Sequence, residues 1–240
     1  MYKKVFYFSL VLIFLLIFST NVGANDLKNG INEYQNGNYN QAINYLTDYV
    51  TSNESDYRPQ YYLGLSYLKL DEYKLAVSSF NIAYELNSDN YRIMVNLGRA
   101  HYHLKNYNKA LEILNKAKES KAKDDQVYNL LGLIYLNESD YNNAVNNFEM
   151  AIEYNKNNYY IYNNLGYSYL LQGKYKEAKE SLENATDLKP QVPYIYNNLG
   201  IAYENLGNFN KAYKSYKKAL EINPDYSKAK ENLERVKEKI

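Results

Sequence analysis

Tyr162-Asn163-Asn164-Leu165-Gly166-Tyr167 is followed, 34 residues on, by Tyr196-Asn197-Asn198-Leu199-Gly200-Ile201. Stepping by 34 from the glycine in both directions meets Gly30, Gly64, Gly98, Gly132, Gly166 and Gly200. The same step meets Ala42, Ala76, Ala110, Ala144, Ala178 and Ala212. It also meets an aromatic ring in every copy, at Tyr39, Tyr73, Tyr107, Tyr141, Tyr175 and Phe209. No insertion or deletion breaks this frame. A fixed period of this size marks stacked supersecondary units, none of which buries its apolar face alone. The repeats occupy 23–56, 57–90, 91–124, 125–158, 159–192 and 193–226.

Each repeat reads as two helices. In the fourth, Tyr128, Leu131, Gly132 and Tyr135 recur at the spacing of one helical face, and Ala144, Phe148 and Ala151 repeat that spacing further on. Polar Asn137-Glu138-Ser139-Asp140 lies between them. Of the ten glycines, six hold position 8 of the repeat. Gly37, Gly173 and Gly207 hold position 15, where a turn is expected, and Gly23 lies near the N-terminus. Pro59, Pro190, Pro193 and Pro224 fall only where a helix starts or stops. A glycine inside a helix costs about 1 kcal/mol relative to alanine, so six at one register need a compensating cause. Close approach of the paired helices, with Gly at position 8 and Ala at position 20, supplies one. Leu63, Leu97, Leu131, Leu165 and Leu199, with the rings at position 17, are expected to fill the core beside that crossing.

Leu, Gly and Tyr at positions 7, 8 and 11, Ala at 20, an aromatic or Leu at 24, Ala at 27 and Pro at 32 resemble the tetratricopeptide repeat. Repeat 6 carries the pattern as Leu199, Gly200, Tyr203, Ala212, Tyr216, Ala219 and Pro224. The resemblance covers residues 26–226. Repeat 1 departs most, with Asn29, Glu33 and Tyr49 in place of Leu, the aromatic and Ala, as suits the end of a stack. Repeat 3 places His101 at position 11. Beyond 226, Ser227 can cap a last helix with Ala229, Leu233, Val236 and Ile240 on one face, a solvating cap over 227–240. The resemblance implies an all-α fold, a right-handed superhelical solenoid of six helix pairs.

It also implies a concave groove lined by positions 2, 5, 6, 9, 12 and 13 of each first helix. Repeats 2 and 3 present Arg58, Tyr61, Tyr62, Arg92, Asn96, Arg99 and His103 there. Repeat 4 presents Asn129, Leu133 and Asn137. Repeats 5 and 6 present Tyr160, Asn163, Asn164, Tyr167, Tyr194, Asn197 and Asn198. The groove is thus expected to be basic toward the N-terminus and rich in Tyr and Asn toward the C-terminus. Some members of this family hold peptides with a ladder of position-6 asparagines, which Asn96, Asn164 and Asn198 match. The amide offers two donors and an acceptor to an extended backbone. Asn is also abundant in the chain and common at position 6 of such repeats, an alternative that needs no ligand. Tyr160, Tyr167 and Tyr194 are candidate rigid contacts. Arg58, Arg92 and Arg99 are candidate carboxylate partners, or a solvated edge with local pairs. The family's carboxylate clamp for chaperone tails is not matched by any three consecutive repeats.

No catalytic constellation stands out. The chain has 240 residues, a formal charge of +1, two His and no Cys. Disulfides, thiolate metal sites, a cysteine nucleophile and an N-terminal lipidated cysteine are excluded. His101 and His103 project roughly 200° apart around a helix and do not chelate one metal well. The frame uses every glycine beyond Gly23, leaving none for a phosphate loop. Near-neutral charge argues against nucleic acid. Asn-x-Ser/Thr sequons at Asn53, Asn137 and Asn184 matter only in a glycosylating host.

The N-terminus obeys other rules. Lys3-Lys4 precede a run from Val5 to Phe18 that is apolar except for Ser9, and small residues end at Val22-Gly23-Ala24. That is the pattern of a secretory signal peptide, 1–24, cleaved after Ala24. A spanning helix needs about 20 apolar residues; an uncleaved anchor is the alternative. Cleavage leaves 26 basic against 27 acidic residues, a net of −1. The expectation is an exported, periplasmic or secreted protein without enzymatic activity, cofactor or metal, not inserted in the membrane once cleaved. It binds a protein or peptide in its groove. The alternative is an accessory subunit that holds substrate for a separate envelope enzyme or assembly complex.

Overall fold

The computed structural model describes residues 26–51, 53–120 and 123–240. The signal segment 1–24 and its cleavage point lie outside them. The described residues contain thirteen helices and no strand. Residues 26–35 form α1. It is followed by α2 (Tyr39–Val50), α3 (Tyr57–Lys69), α4 (Tyr73–Leu86), α5 (Tyr91–His103), α6 (Tyr107–Glu119) and α7 (Asp125–Asn137). Then come α8 (Tyr141–Tyr154), α9 (Tyr159–Leu171), α10 (Tyr175–Leu188), α11 (Pro193–Asn205), α12 (Phe209–Ile222) and α13 (Ser227–Lys237). They form two compact units, one ending at Lys121 and one beginning at Ala122. No described helix is long and apolar enough to cross a membrane.

The sequence sets each helix end. Asp56, Asn90, Asp124 and Asn158, the last residue of a repeat, accept a hydrogen bond from the N–H two residues on. They satisfy one donor that the helix start leaves open. Val192 has no such side chain; Pro193 at the first helical position lacks the N–H altogether. The turn between paired helices is the same in all six repeats. Position 15 has positive φ, from 59° at Lys105 to 83° at Gly37. The next N–H bonds back to the carbonyl of position 11 at 2.9 Å, as from Asn106 to His101 and from Asn208 to Tyr203. This left-handed cap satisfies the carbonyls that a helix end leaves open. Glycine takes it without strain in three repeats. Asp71, Lys105 and Ser139 take it in the others, against a steric cost of about 1 kcal/mol each.

The core follows the frame, with one change from the expected crossing. All six position-20 alanines are fully buried. The position-8 glycines, however, face position 24 more closely than position 20. A Cβ on Gly64, Gly132 or Gly200 would lie 2.4–2.7 Å from a ring atom of Phe80, Phe148 or Tyr216, and on Gly30, Gly98 or Gly166 it would lie 2.6 Å from Leu46, Leu114 or Leu182. These position-24 side chains are buried at 0% exposure, whereas the position-17 rings are only half-buried. A bulky group standing directly over the glycine, one helical turn beyond the alanine, fills the space that the missing Cβ opens. The leucines at position 7 are buried as expected.

Helix α13 repeats the register of a first helix. Ala229 and Val236, at positions 3 and 10, are buried against the second unit. Glu234 stands where the frame otherwise has glycine, and its side chain is exposed. The outer face of α13 is therefore not shaped for a closely crossing helix. Glu204 of α11, 9% exposed, fastens α13 to the unit. It accepts from Arg235 Nε (3.0 Å) and Nη2 (2.7 Å), Lys239 Nζ (3.0 Å) and Tyr216 Oη (2.8 Å). The Arg235 hydrogen bond, helped by those of Lys239 and Tyr216, outweighs burial and holds the carboxyl at about 2.

Candidate functional site

In the first unit the expected basic cluster is largely engaged. Arg58 grips the Asp56 carboxylate through Nε at 2.9 and 3.0 Å and Nη2 at 2.7 Å. Arg99 Nη1 donates to Asn96 Oδ1 at 2.7 Å. Arg92 is exposed at the start of α5, with its ring neighbour Tyr91 6.0 Å from the guanidinium. Asn96 is 8% exposed, and its amide also donates to Tyr61 Oη (3.2 Å) and to the Arg92 carbonyl (2.8 Å). Asn96 is therefore spent within the fold.

The same device recurs in the second unit. Asn198 Nδ2 donates to Asn163 Oδ1 at 3.1 Å, and Asn232 Nδ2 donates to Asn197 Oδ1 at 2.9 Å. All three rungs run from position 6 of one first helix to position 5 of the preceding one, 35 residues apart. Asn163 and Asn197 are buried. The asparagine ladder thus sews adjacent repeats together. A peptide ladder would have kept these amides open, but a buried amide needs a partner, and the neighbouring repeat supplies one.

Asn129 and Asn164 occupy the equivalent positions of the next rung. Asn129 Oδ1 is buried without a hydrogen-bond partner, while Asn164 accepts only a long 3.4 Å contact from Asn163. On α9, Tyr160, Asn163, Asn164 and Tyr167 share one face by their i, i+3, i+4, i+7 spacing. Tyr160 is 52% and Tyr167 41% exposed. The ring of Tyr160 lies 4.4 Å from that of Tyr159 and 6.4 Å from that of Tyr194 on α11. The Tyr194 hydroxyl is near those of its neighbours but bonded to none; burial first, and then Tyr160 and Tyr159, push its pKa up. In the second unit the expected surface is open at the rings of Tyr160 and Tyr167 on α9, with the half-buried ring of Tyr194 on α11 next to Tyr160.

The histidines take structural places. His101 is buried, with Nδ1 lacking a hydrogen-bond partner, and burial lowers its pKa. His103 stacks on Tyr73 at 4.5 Å with a 4° interplanar angle. Among the described residues no group of three or more His, Asp and Glu is placed to hold a metal ion.

Two features had no expectation attached. One is the Glu204 cluster. The other is a cavity of about 320 Å³ among α8, α9 and α10. In it Tyr169 Oη donates to Glu149 Oε1 at 2.6 Å, and burial followed by that bond raises the Tyr169 pKa. Each joins residues brought together from separate helices; the Tyr–Glu pair of the cavity recurs 34 residues on as Tyr203–Glu183, whereas nothing in the repeat frame marks the Glu204 cluster.

Family models described as "Tetratricopeptide repeat" match residues 27–91, 67–134, 125–158, 147–180 and 193–226, and one described as "TPR repeat" matches 167–207. Together they tile 27–226. A search of curated protein sequences finds no match. Among solved structures, the chain is similar to one in the APC/C hetero-tetramer Cut9-Hcn1, with 22% identity and a TM-score of 0.76 over 89% of this chain. It spans only 42% of that chain. It is also similar to pilF of Pseudomonas aeruginosa, with 19% identity, a TM-score of 0.79, and 90% and 98% of the two chains covered. YrrB, a TPR protein with an unusual peptide-binding site, matches at 22% identity and TM-score 0.65, over 78% of this chain and 96% of its own. At these identities the likeness is one of fold.

Proposed function

We propose that this chain, which belongs to the tetratricopeptide repeat family, is a non-enzymatic scaffold of the cell envelope. On this reading it takes a peptide or protein segment of a partner on the first-helix face of its second unit. The observation that carries this is the pair of open rings, Tyr160 and Tyr167, two turns apart on one face of α9. Tyrosine presents a broad amphipathic contact with little conformational freedom to lose, and such residues dominate interface energetics. Asn164, on the same face of α9, accepts only the 3.4 Å contact from Asn163, and Asn129 Oδ1 has no hydrogen-bond partner.

The double variant Tyr160→Ala/Tyr167→Ala removes two exposed rings and leaves the buried registers untouched. Partner capture from host envelope, measured by quantitative pull-down, is expected to fall about tenfold or more, with helix content unchanged. Undiminished capture would place the contact on another face.

Export rests on the basic start, apolar run and small-residue end of 1–24. Sequencing the N-terminus of the protein recovered from its host is expected to read Asn25 first. A recovered chain that still begins at Met1 contradicts cleavage and favours the anchored form.

A further inference from the structure

The cavity among α8, α9 and α10 shares no residue with the tyrosine face. Its walls carry the carboxylates of Glu149, Glu177 and Glu180 and the rings of Tyr162 and Tyr169, and Leu165 lies in its floor. Repeat 6 shows what such a seat is built around. There Tyr203 Oη donates to Glu183 Oε1 at 2.5 Å, as Tyr169 does to Glu149 in repeat 5. In repeat 6, position 19 is Lys211, whose ammonium lies 5.3 Å from the centre of the Tyr203 ring. Position 22 is Lys214. In repeat 5 the same two positions are Glu177 and Glu180. The Tyr–Glu pair is retained, the lysine that accompanies it is replaced by acid, and the neighbouring position turns acidic as well. Lys174, on the turn before α10, approaches the Tyr169 ring at 5.9 Å but does not line the cavity. Three carboxylates against one peripheral ammonium leave the site negative.

The shape of the site narrows the ligand. The carboxylates do not gather closely enough to hold a metal ion. They are spread around tyrosine faces and an apolar floor, which suits a cation carried on an aliphatic stem. We propose that this cavity is a second docking site and receives a lysine or arginine side chain of a partner protein, in the place where repeat 6 uses its own Lys211. A guanidinium or ammonium there lies over a tyrosine ring and pairs with the surrounding carboxylates, while the stem covers Leu165.

The test uses the mature chain and N-acetyl-arginine methylamide as probe, followed by the ring resonances of Tyr162 and Tyr169 in NMR titration. Saturable shifts of these two rings are expected. In Glu177→Lys, which copies repeat 6 at an exposed position, the apparent affinity is expected to fall at least tenfold, because the seat is filled from within. Shifts that do not saturate, equal affinity in the variant, or the same saturable shifts with magnesium chloride in place of the probe each overturn the proposal. The Tyr160→Ala/Tyr167→Ala variant is expected to bind the probe as the native chain does. Failure of one site therefore leaves the other intact.

Discussion

Glu204→Ala is expected to destabilise the second unit by about 3 kcal/mol, because a buried tyrosine hydroxyl loses its acceptor and α13 loses its fastening. Tyr216 is fully buried and donates to Glu204. With the carboxylate gone, nothing in the core replaces that acceptor. Arg235 and Lys239 are half-exposed and return to water at little cost. Glu204→Gln keeps an acceptor for Tyr216 and loses only the charge, so its effect is smaller, about 2 kcal/mol once solvent screening of the two cations is allowed for. The pH dependence has a fixed sign. The folded carboxyl titrates at about 2 against an ordinary value of 4.5, so the unfolded chain binds a proton first as acid is added. The stabilisation is complete above about pH 4.5 and disappears as pH falls through about 2. Urea unfolding of native chain and Glu204→Gln at successive pH values is expected to show a gap that closes over that window. A gap that stays constant rules out the ionised pair as its source. Hydrogen exchange is expected to rise first in α13.

Gly200→Ala is expected to cost about 2 kcal/mol, although alanine is the better helix former. The added Cβ would sit 2.4 Å from Cε1 and 2.6 Å from Cδ1 of Tyr216, well inside van der Waals contact. Helix propensity returns about 1 kcal/mol, against an overpacking penalty of about 3 kcal/mol. The upper end applies because the ring cannot swing aside: its edge meets α11 and its hydroxyl is bonded to Glu204. A double-mutant cycle separates the terms. In a Tyr216→Ala background, Gly200→Ala is expected to be neutral or stabilising, measured by urea unfolding. An equal loss in both backgrounds would place the cause in the helix itself and not in the contact between positions 8 and 24.

These two residues show where sequence was enough and where it was not. Gly200 announced itself through its period, and only its neighbour was misplaced: periodicity shows that position 8 must be bare, but not which side chain of the paired helix leans over it. Glu204 gave no signal, since its partners lie 12, 31 and 35 residues away, on α12, on α13 and in the turn that follows α13. The asparagines lie between these cases. Their face was legible from helical spacing, which made Asn96, Asn163, Asn197 and Asn198 look available. Whether an amide on that face meets water or the next repeat depends on the offset between stacked helices. That offset is 35 residues, one more than the repeat, and pairs position 5 with position 6 of the following copy. The rings of Tyr160 and Tyr167 stay exposed on that face. The acidic cavity needs three helices at once, so no single stretch of sequence reveals it.

The most direct test of the binding face places a photo-crosslinking amino acid at position 167 and, in a second chain, at Lys217 on the exposed surface of α12. After irradiation in the native host, the account predicts a discrete partner adduct from position 167 and none from position 217. An adduct from position 217 alone would contradict it.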